Sequence, residues 1–190
     1  MSRSLLATLA TVALLGSTMA LTALPAHADE ITCRGSIGAR TIDGSINVPP
    51  GATCTLTGTY VKGNVFVRSG STLTADRAYV EGSVQAQGHR SVVARNATSV
   101  KGDVQLENGR TATLTRSSVG GSLQSKANSG AQSTTFTQVK GDVQYFSNRA
   151  AVTISRNTID GNLQCKSNNP APTGTGNTVS GNKEDQCRRL

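Results

Sequence analysis

The chain has no tryptophan, only 3% of its 190 residues are aromatic, and it carries just two histidines. So few rings exclude an aromatic-filled core and leave little material for platforms that stack bases or sugars. Histidine is nearly as scarce where it would matter: past residue 28 the one imidazole is His89, in a Gly-His-Arg stretch. Neither a serine nor a cysteine nucleophile therefore finds its usual base except through that residue. No Asp-Asp pair occurs, which removes the clustered aspartates of polygalacturonase-type hydrolases. No Cys-x-x-Cys pair occurs either, so the four cysteines do not have the spacing of a zinc site. Acidic side chains are in deficit, 11 against 19 basic, for a formal net charge of +8.

One long apolar run exists, at the start. Arg3 precedes the stretch from Leu5 to Leu24, and Pro25-Ala26-His27-Ala28 then offers small residues at the −3 and −1 positions of a cleavage site before Asp29. This is the layout of a secretory signal peptide over residues 1–28. The run is nearly long enough for an uncleaved anchor, but Gly16, Ser17, four threonines and the Ala-His-Ala site favour cleavage. No cysteine follows the site, so a lipid anchor is not expected, and no second apolar run follows. Removal of residues 1–28 takes away Arg3 and leaves 18 basic and 11 acidic side chains, a net +7. Residues 29–190 then form one domain.

What is abundant is Gly, Ser, Thr and Asn, and these are periodic. A pattern V/I-x-G-[S/N/D]-[V/I/L] recurs as IDGSI from Ile42, VKGNV from Val61, VEGSV from Val80, VKGDV from Val100, VGGSL from Val119, VKGDV from Val139 and IDGNL from Ile159, and ends as VSGNK from Val179. Successive copies lie 19, 19, 20, 19, 20, 20 and 20 residues apart. So regular a period is the signature of a solenoid. The leading Val or Ile and the apolar residue four later share one strand parity and face the interior. The third position is glycine in every copy, a bend or a close backbone approach. The Ser, Asn or Asp that follows suits a bend.

Most intervals contain a second stretch with strand alternation: Thr72-Leu73-Thr74, Ser91-Val92-Val93, Ala112-Thr113-Leu114, Thr135-Phe136-Thr137 and Val152-Thr153-Ile154. The expected fold is all-β: a single-stranded parallel β-helix of about eight coils of 19–20 residues, a rod of about 40 Å at the β spacing. A coil of this length without sixfold substructure points to right-handed winding. Propeller blades need about 40 residues, and the Leu/Asn consensus of leucine-rich repeats is missing.

Four cysteines behind an export signal are expected to be oxidised. Cys33 and Cys54 are 21 residues apart and Cys165 and Cys187 are 22 apart, each about one coil. Residues one coil apart lie one above the other, within disulfide reach, whereas the crossed pairings would join opposite ends of the rod. The expected bonds are Cys33–Cys54 and Cys165–Cys187, stapling the terminal coils. Lys183 in place of an inward aliphatic residue, and Ser167 to Gly176 (SNNPAPTGTG) in place of a strand, mark the expected end of the core.

The run GNLQC at 161–165 with NNPAPTGTGNTVSGNKEDQC at 168–187 resembles a group of small secreted bacterial repeat proteins that carry V-x-G-[DN]-[VL]-Q repeats and a cysteine-containing C-terminal cap. The resemblance covers most of the chain after residue 28. It implies export and a β-helix, and no activity. The repeats are also loosely similar to those of bactofilins, cytoplasmic polymer-forming β-helices, from which export and two disulfides depart.

Secreted β-helices often degrade polysaccharides, so a small polysaccharide lyase is the alternative to a non-enzymatic role. Two carboxylates that hydrolyse a glycoside stand about 5–9.5 Å apart. Asp103 and Asp142 share a column but are two coils, about 9.6 Å, from each other, at the bend that Ser83, Ser122 and Asn162 occupy in other coils. Capping that bend is their expected role, and they are too far apart to share a calcium ion. No metal or cofactor is expected.

Gln85, Gln105, Gln124, Gln144 and Gln164 form an outward column suited to an amide ladder. Thr72, Thr74, Thr111, Thr113, Thr115, Thr135, Thr137 and Thr153 read as outward and resemble the threonine arrays of ice-binding solenoids, interrupted by Ser91 and Arg95; threonine is also simply a good strand residue. Two arginine columns complete the surface: Arg77, Arg116 and Arg156 three residues before a leading position, and Arg90, Arg110 and Arg149 ten after one. On a chain of net +7 they are the candidate site for an anionic partner, such as a cell-wall polysaccharide or nucleic acid. The expected protein is a secreted or cell-envelope-associated, non-enzymatic structural or binding solenoid.

Overall fold

The computed structural model describes residues 30–190; the signal-peptide reading of residues 1–28 falls outside them. The described chain is all-β, a parallel β-solenoid of about eight coils. Three sheets run its length: nine strands from Glu30–Thr32 to Lys183–Asp185, seven from Ser36–Ile37 to Val152–Ser155, and eight from Thr41–Ile42 to Thr178–Val179. Each strand pairs only with its counterparts in the neighbouring coils, always parallel, as in Val84↔Val104, Ser91↔Thr111 and Ser99↔Ser118. Among the described residues no helix is long and apolar enough to cross a membrane.

The repeat motif forms the corner between the eight- and nine-stranded sheets. Its leading residues (Ile42, Val61, Val80, Val100) and their partners four later (Ile46, Val65, Val84, Val104) are buried. The glycines owe their place to close approach: a Cβ on Gly63 would sit 2.7 Å from the carbonyl carbon of Gly44, and one on Gly161 would sit 2.7 Å from that of Gly141. Next to them a side-chain ladder ties the corners together. Ser45 Oγ accepts from the Asn64 amide (3.0 Å), Asn64 Oδ1 from that of Ser83 (2.8 Å), and Ser83 Oγ from that of Asp103 (3.0 Å). Asp103 accepts from Ser122 at 2.8 Å, Ser122 from Asp142 at 3.1 Å, Asp142 from Asn162 at 2.7 Å, and Asn162 from Asn182 at 2.9 Å. The recurrence of Ser, Asn and Asp thus has one cause: each must accept the backbone N–H of the coil beyond.

The interior changes character along the axis. Ile46, Val48, Leu56, Val65, Val67 and Leu73 fill the early coils. In the later ones Ser125, Asn128, Gln132, Thr134, Asn148 and Asn168 are buried inside the tube. Asn128, Asn148 and Asn168 stack as a ladder: Asn128 Nδ2 donates to Asn148 Oδ1 (3.2 Å) and Asn148 Nδ2 to Asn168 Oδ1 (2.9 Å). The same amides reach the Leu106 and Ser125 carbonyls at 2.9 and 3.0 Å. Asn157 and Asn177 form a second, shorter ladder at the corner following the seven-stranded sheet (3.0 Å).

This polar interior corrects one strand assignment. The fifth-coil strand of the seven-stranded sheet is Gln132–Thr135, and not Thr135-Phe136-Thr137. Gln132 and Thr134 point inward, satisfied by the Arg110 carbonyl (2.6 Å) and the Tyr145 hydroxyl (2.6 Å). Phe136 turns the corner with φ 51° and is 46% exposed. Thr137 is buried rather than outward, its hydroxyl donating to the Thr135 carbonyl at 3.0 Å.

The disulfides are Cys33–Cys54 and Cys165–Cys187, with Cα separations of 5.5 and 5.2 Å, a state consistent with an extracellular location. The core also runs further than expected at the C-terminal end. Within 167–176, Thr173 bridges Thr153, the Ile154 amide donates to the Thr173 carbonyl at 2.9 Å, and Asn168 and Pro172 are buried.

Candidate functional site

The seven-stranded sheet presents an outer face bordered on both long edges by arginine. At the corner that enters it, a left-handed residue (Gly88, Asn108, Ala127, Ser147) is followed by the inward residues His89, Gly109, Asn128 and Asn148. Directly after these come Arg90, Arg110, Ser129 and Arg149, all exposed. The ladder Arg110 N to His89 O, Ser129 N to Gly109 O and Arg149 N to Asn128 O, each 2.9 Å, keeps that margin in register, with Ser129 the one gap.

At the corner that leaves the sheet, the left-handed residues themselves form the other margin. Arg77, Arg116 and Arg156 have φ of 51°, 46° and 55°, and Phe136 takes the same position between the last two. The Arg116 and Arg156 guanidinium groups lie 5.6 and 5.2 Å from the Phe136 ring centroid, a cation–π sandwich. Sequence spacing located the arginines, but Phe136, read there as part of a strand, belongs to this margin. Along each margin one coil is about 4.8 Å, and the two margins are about 20 Å apart, six residues of strand.

Asp76 is the acidic residue on this face. Its carboxylate accepts from Arg95 Nε and Asn96 Nδ2, both at 3.0 Å, and lies 3.5 Å from Arg77. Burial pushes its pKa up, but the hydrogen bonds from Asn96 and Arg95, with the Arg77 charge, outweigh that and hold it below the usual range. Arg116, Arg156, Arg90, Arg110 and Arg149 have no acidic partner among the described residues.

The other chemically interesting groups lie elsewhere. Asp103 and Asp142 cap the bend, as described. Asp43 pairs with Lys62 at 2.7 Å, and Glu81 accepts from the Tyr60 hydroxyl. His89 is inside the tube against Gly109, with neither ring nitrogen hydrogen-bonded, and burial lowers its pKa. Tyr145 is likewise enclosed, its pKa pushed up to about 12 by burial. Among the described residues no three His, Cys, Asp or Glu side chains gather as metal ligands. The glutamine column is a ladder in its later half only, Gln124 to Gln144 (3.4 Å), Gln144 to Gln164 (2.9 Å) and Gln164 to Glu184 (3.0 Å); Gln85 and Gln105 are exposed.

No family model, curated protein or solved structure matches this chain.

Proposed function

We propose that the protein is an exported, non-enzymatic solenoid of the cell envelope or its surroundings that binds an anionic polymer, such as an acidic cell-wall polysaccharide, along the arginine-bordered face. One observation carries the reading: arginine occupies left-handed corner positions, at φ 46–55°, that glycine would fill more cheaply. A non-glycine residue in that region costs about 1 kcal/mol, and the end coils do use glycine there, at Gly58 and Gly176. Ala127 and Ser147 hold the same conformation at the opposite corner, so what distinguishes this margin is its exposed charge: Arg116 and Arg156 have no acidic partner among the described residues. Repetition at the coil period adds multivalency: a linear polyanion lying along the rod meets a guanidinium every one or two coils.

The test is salt-dependent binding of residues 29–190 to polygalacturonate. Affinity should fall steadily with added salt, as each neutralised charge releases counterions. Changing Arg77, Arg116 and Arg156 to Ser should flatten that slope and weaken binding, with the far-UV circular dichroism unchanged. Arg77→Gly separates the two roles: it should weaken binding while raising stability by about 0.5–1 kcal/mol. Affinity that survives both high salt and the triple change rejects the reading.

A further inference from the structure

Between the arginine margins the seven-stranded sheet turns three ranks of side chains outward, and most are hydroxyls. The middle rank runs Thr55, Thr74, Val93, Thr113, Ser133, Thr153 in continuous register. Only Val93 lacks a hydroxyl, and it keeps the shape of threonine. Thr53, Thr72, Ser91 and Thr111 flank it on one side, so Ser91 continues the array instead of breaking it. On the other side Thr115, Thr135 and Ser155 stand in line, and the Asp76–Arg95 pair is the one charged interruption. The internal hydrogen bonds of this face lie in its flanking ranks: Thr111 to the Arg90 carbonyl (3.2 Å), Thr135 to Thr115 (3.1 Å), the Thr175 amide to Ser155 (3.2 Å) and Arg95 to Asp76 (3.0 Å). Among the described residues the middle-rank hydroxyls are left to water.

The spacing of these groups is set by the backbone and not by side-chain choice. Hydroxyls recur about every 4.8 Å from coil to coil and about every 6.7 Å along a strand, at alternate residues. Those repeats lie close to the oxygen repeats along two axes of hexagonal ice. Each threonine offers a hydroxyl that both donates and accepts beside a methyl, around which water forms its own hydrogen-bonded shell. Stacked coils stapled at both ends hold the lattice in place beforehand, so ordering water on it requires little rearrangement of the protein.

We propose that this face binds ice, its ranks of threonine and serine anchoring a layer of water that continues into the crystal. This function uses the ranks between the margins and is independent of polyanion binding by the arginines.

The experiment uses residues 29–190, which contain every strand described. Its readouts are thermal hysteresis, crystal shape and inhibition of ice recrystallisation. The folded protein should shape crystals and open a hysteresis gap. Thr74→Tyr with Thr113→Tyr, bulky changes at outward positions, should abolish both while the far-UV circular dichroism stays unchanged. Thr113→Val, which keeps shape and methyl, should retain most of the activity. Arg110→Ser with Arg149→Ser should leave it intact. A folded protein that neither shapes ice nor slows recrystallisation overturns the proposal, and so does activity unchanged by the paired tyrosines.

Discussion

The early and late coils share one backbone path, but the late coils add ladders of buried amides to the aliphatic core. Up to about Val104 the sheets turn Val, Leu, Ile and Ala inward, with Thr59, Ser71, His89 and Thr98 buried at the corners; beyond it Leu114, Leu123, Val143, Ile154 and Leu163 continue the aliphatic columns while Ser125, Asn128, Gln132, Asn148 and Asn157 add buried amides and hydroxyls. The apolar half gains about 1.5–3 kcal/mol for each large side chain buried, a non-directional term that tolerates imperfect fit. A buried amide gains only about 1 kcal/mol net per hydrogen bond and costs more when one is left unmade. It is stable here because the solenoid offers a carbonyl and a neighbouring amide at the same place in every coil, so that Asn128, Asn148 and Asn168 satisfy one another and the backbone together. The first half is therefore held mainly by volumes, and the second by volumes and bonds together.

The sharpest way to break the comparison is to exchange the two chemistries. Asn148→Leu should cost about 3–5 kcal/mol although the branched skeleton is kept, because the Asn128 amide and Ser125 carbonyl lose their partner inside the tube and the two methyls overfill it. Leu73→Asn should cost a similar amount, its amide having no ladder to join, whereas Leu73→Met should cost less than about 1.5 kcal/mol. Chemical denaturation of the three variants checks this; an Asn148→Leu variant as stable as the parent would show that the ladder is only filling.

Next in size is the C-terminal staple. Cys165→Ser should remove roughly 3 kcal/mol by the chain-entropy account of a loop this long. Hydrogen exchange should show the loss confined to the last coils, since each coil contacts only its neighbours. Uniform loosening down to Ile46 would argue that the two halves unfold as one unit.

The finest probe is His89, a buried imidazole within the early coils. Burial depresses its pKa below the ordinary 6.5, so the unfolded chain takes up the proton first. Stability should therefore fall as pH drops below about 6.5, until the depressed native value is passed. His89→Leu should remove this part of the pH dependence and match the apolar half; thermal melts between neutral and acid pH decide it.

Much of this was legible in the residues. The aliphatic columns, the two cysteine pairs and the capping role of Asp103 and Asp142 follow from the period, because residues one coil apart are spatial neighbours. The inward asparagines were not, since composition reads Asn, Ser and Gln as turn or surface residues. Nor was the place of Phe136: alternation around Thr135 and Thr137 resembled a strand, and the inward pull of Gln132 and Thr134 carries no hydrophobic signal. The arginine columns were visible one by one, but not their position on opposite margins of a single hydroxyl-bearing sheet.

By itself the sequence determined the coil, its period and the stapling of its ends, because a repeated backbone geometry stacks whatever recurs at that interval. Only the tertiary structure decided which polar side chains go inside and which surface the arginines border. Both depend on the direction of each corner, and that direction is set by left-handed turns at residues as unlike as Gly88, Ala127, Arg116 and Phe136. A backbone conformation imposed by the stack leaves no common residue type to read.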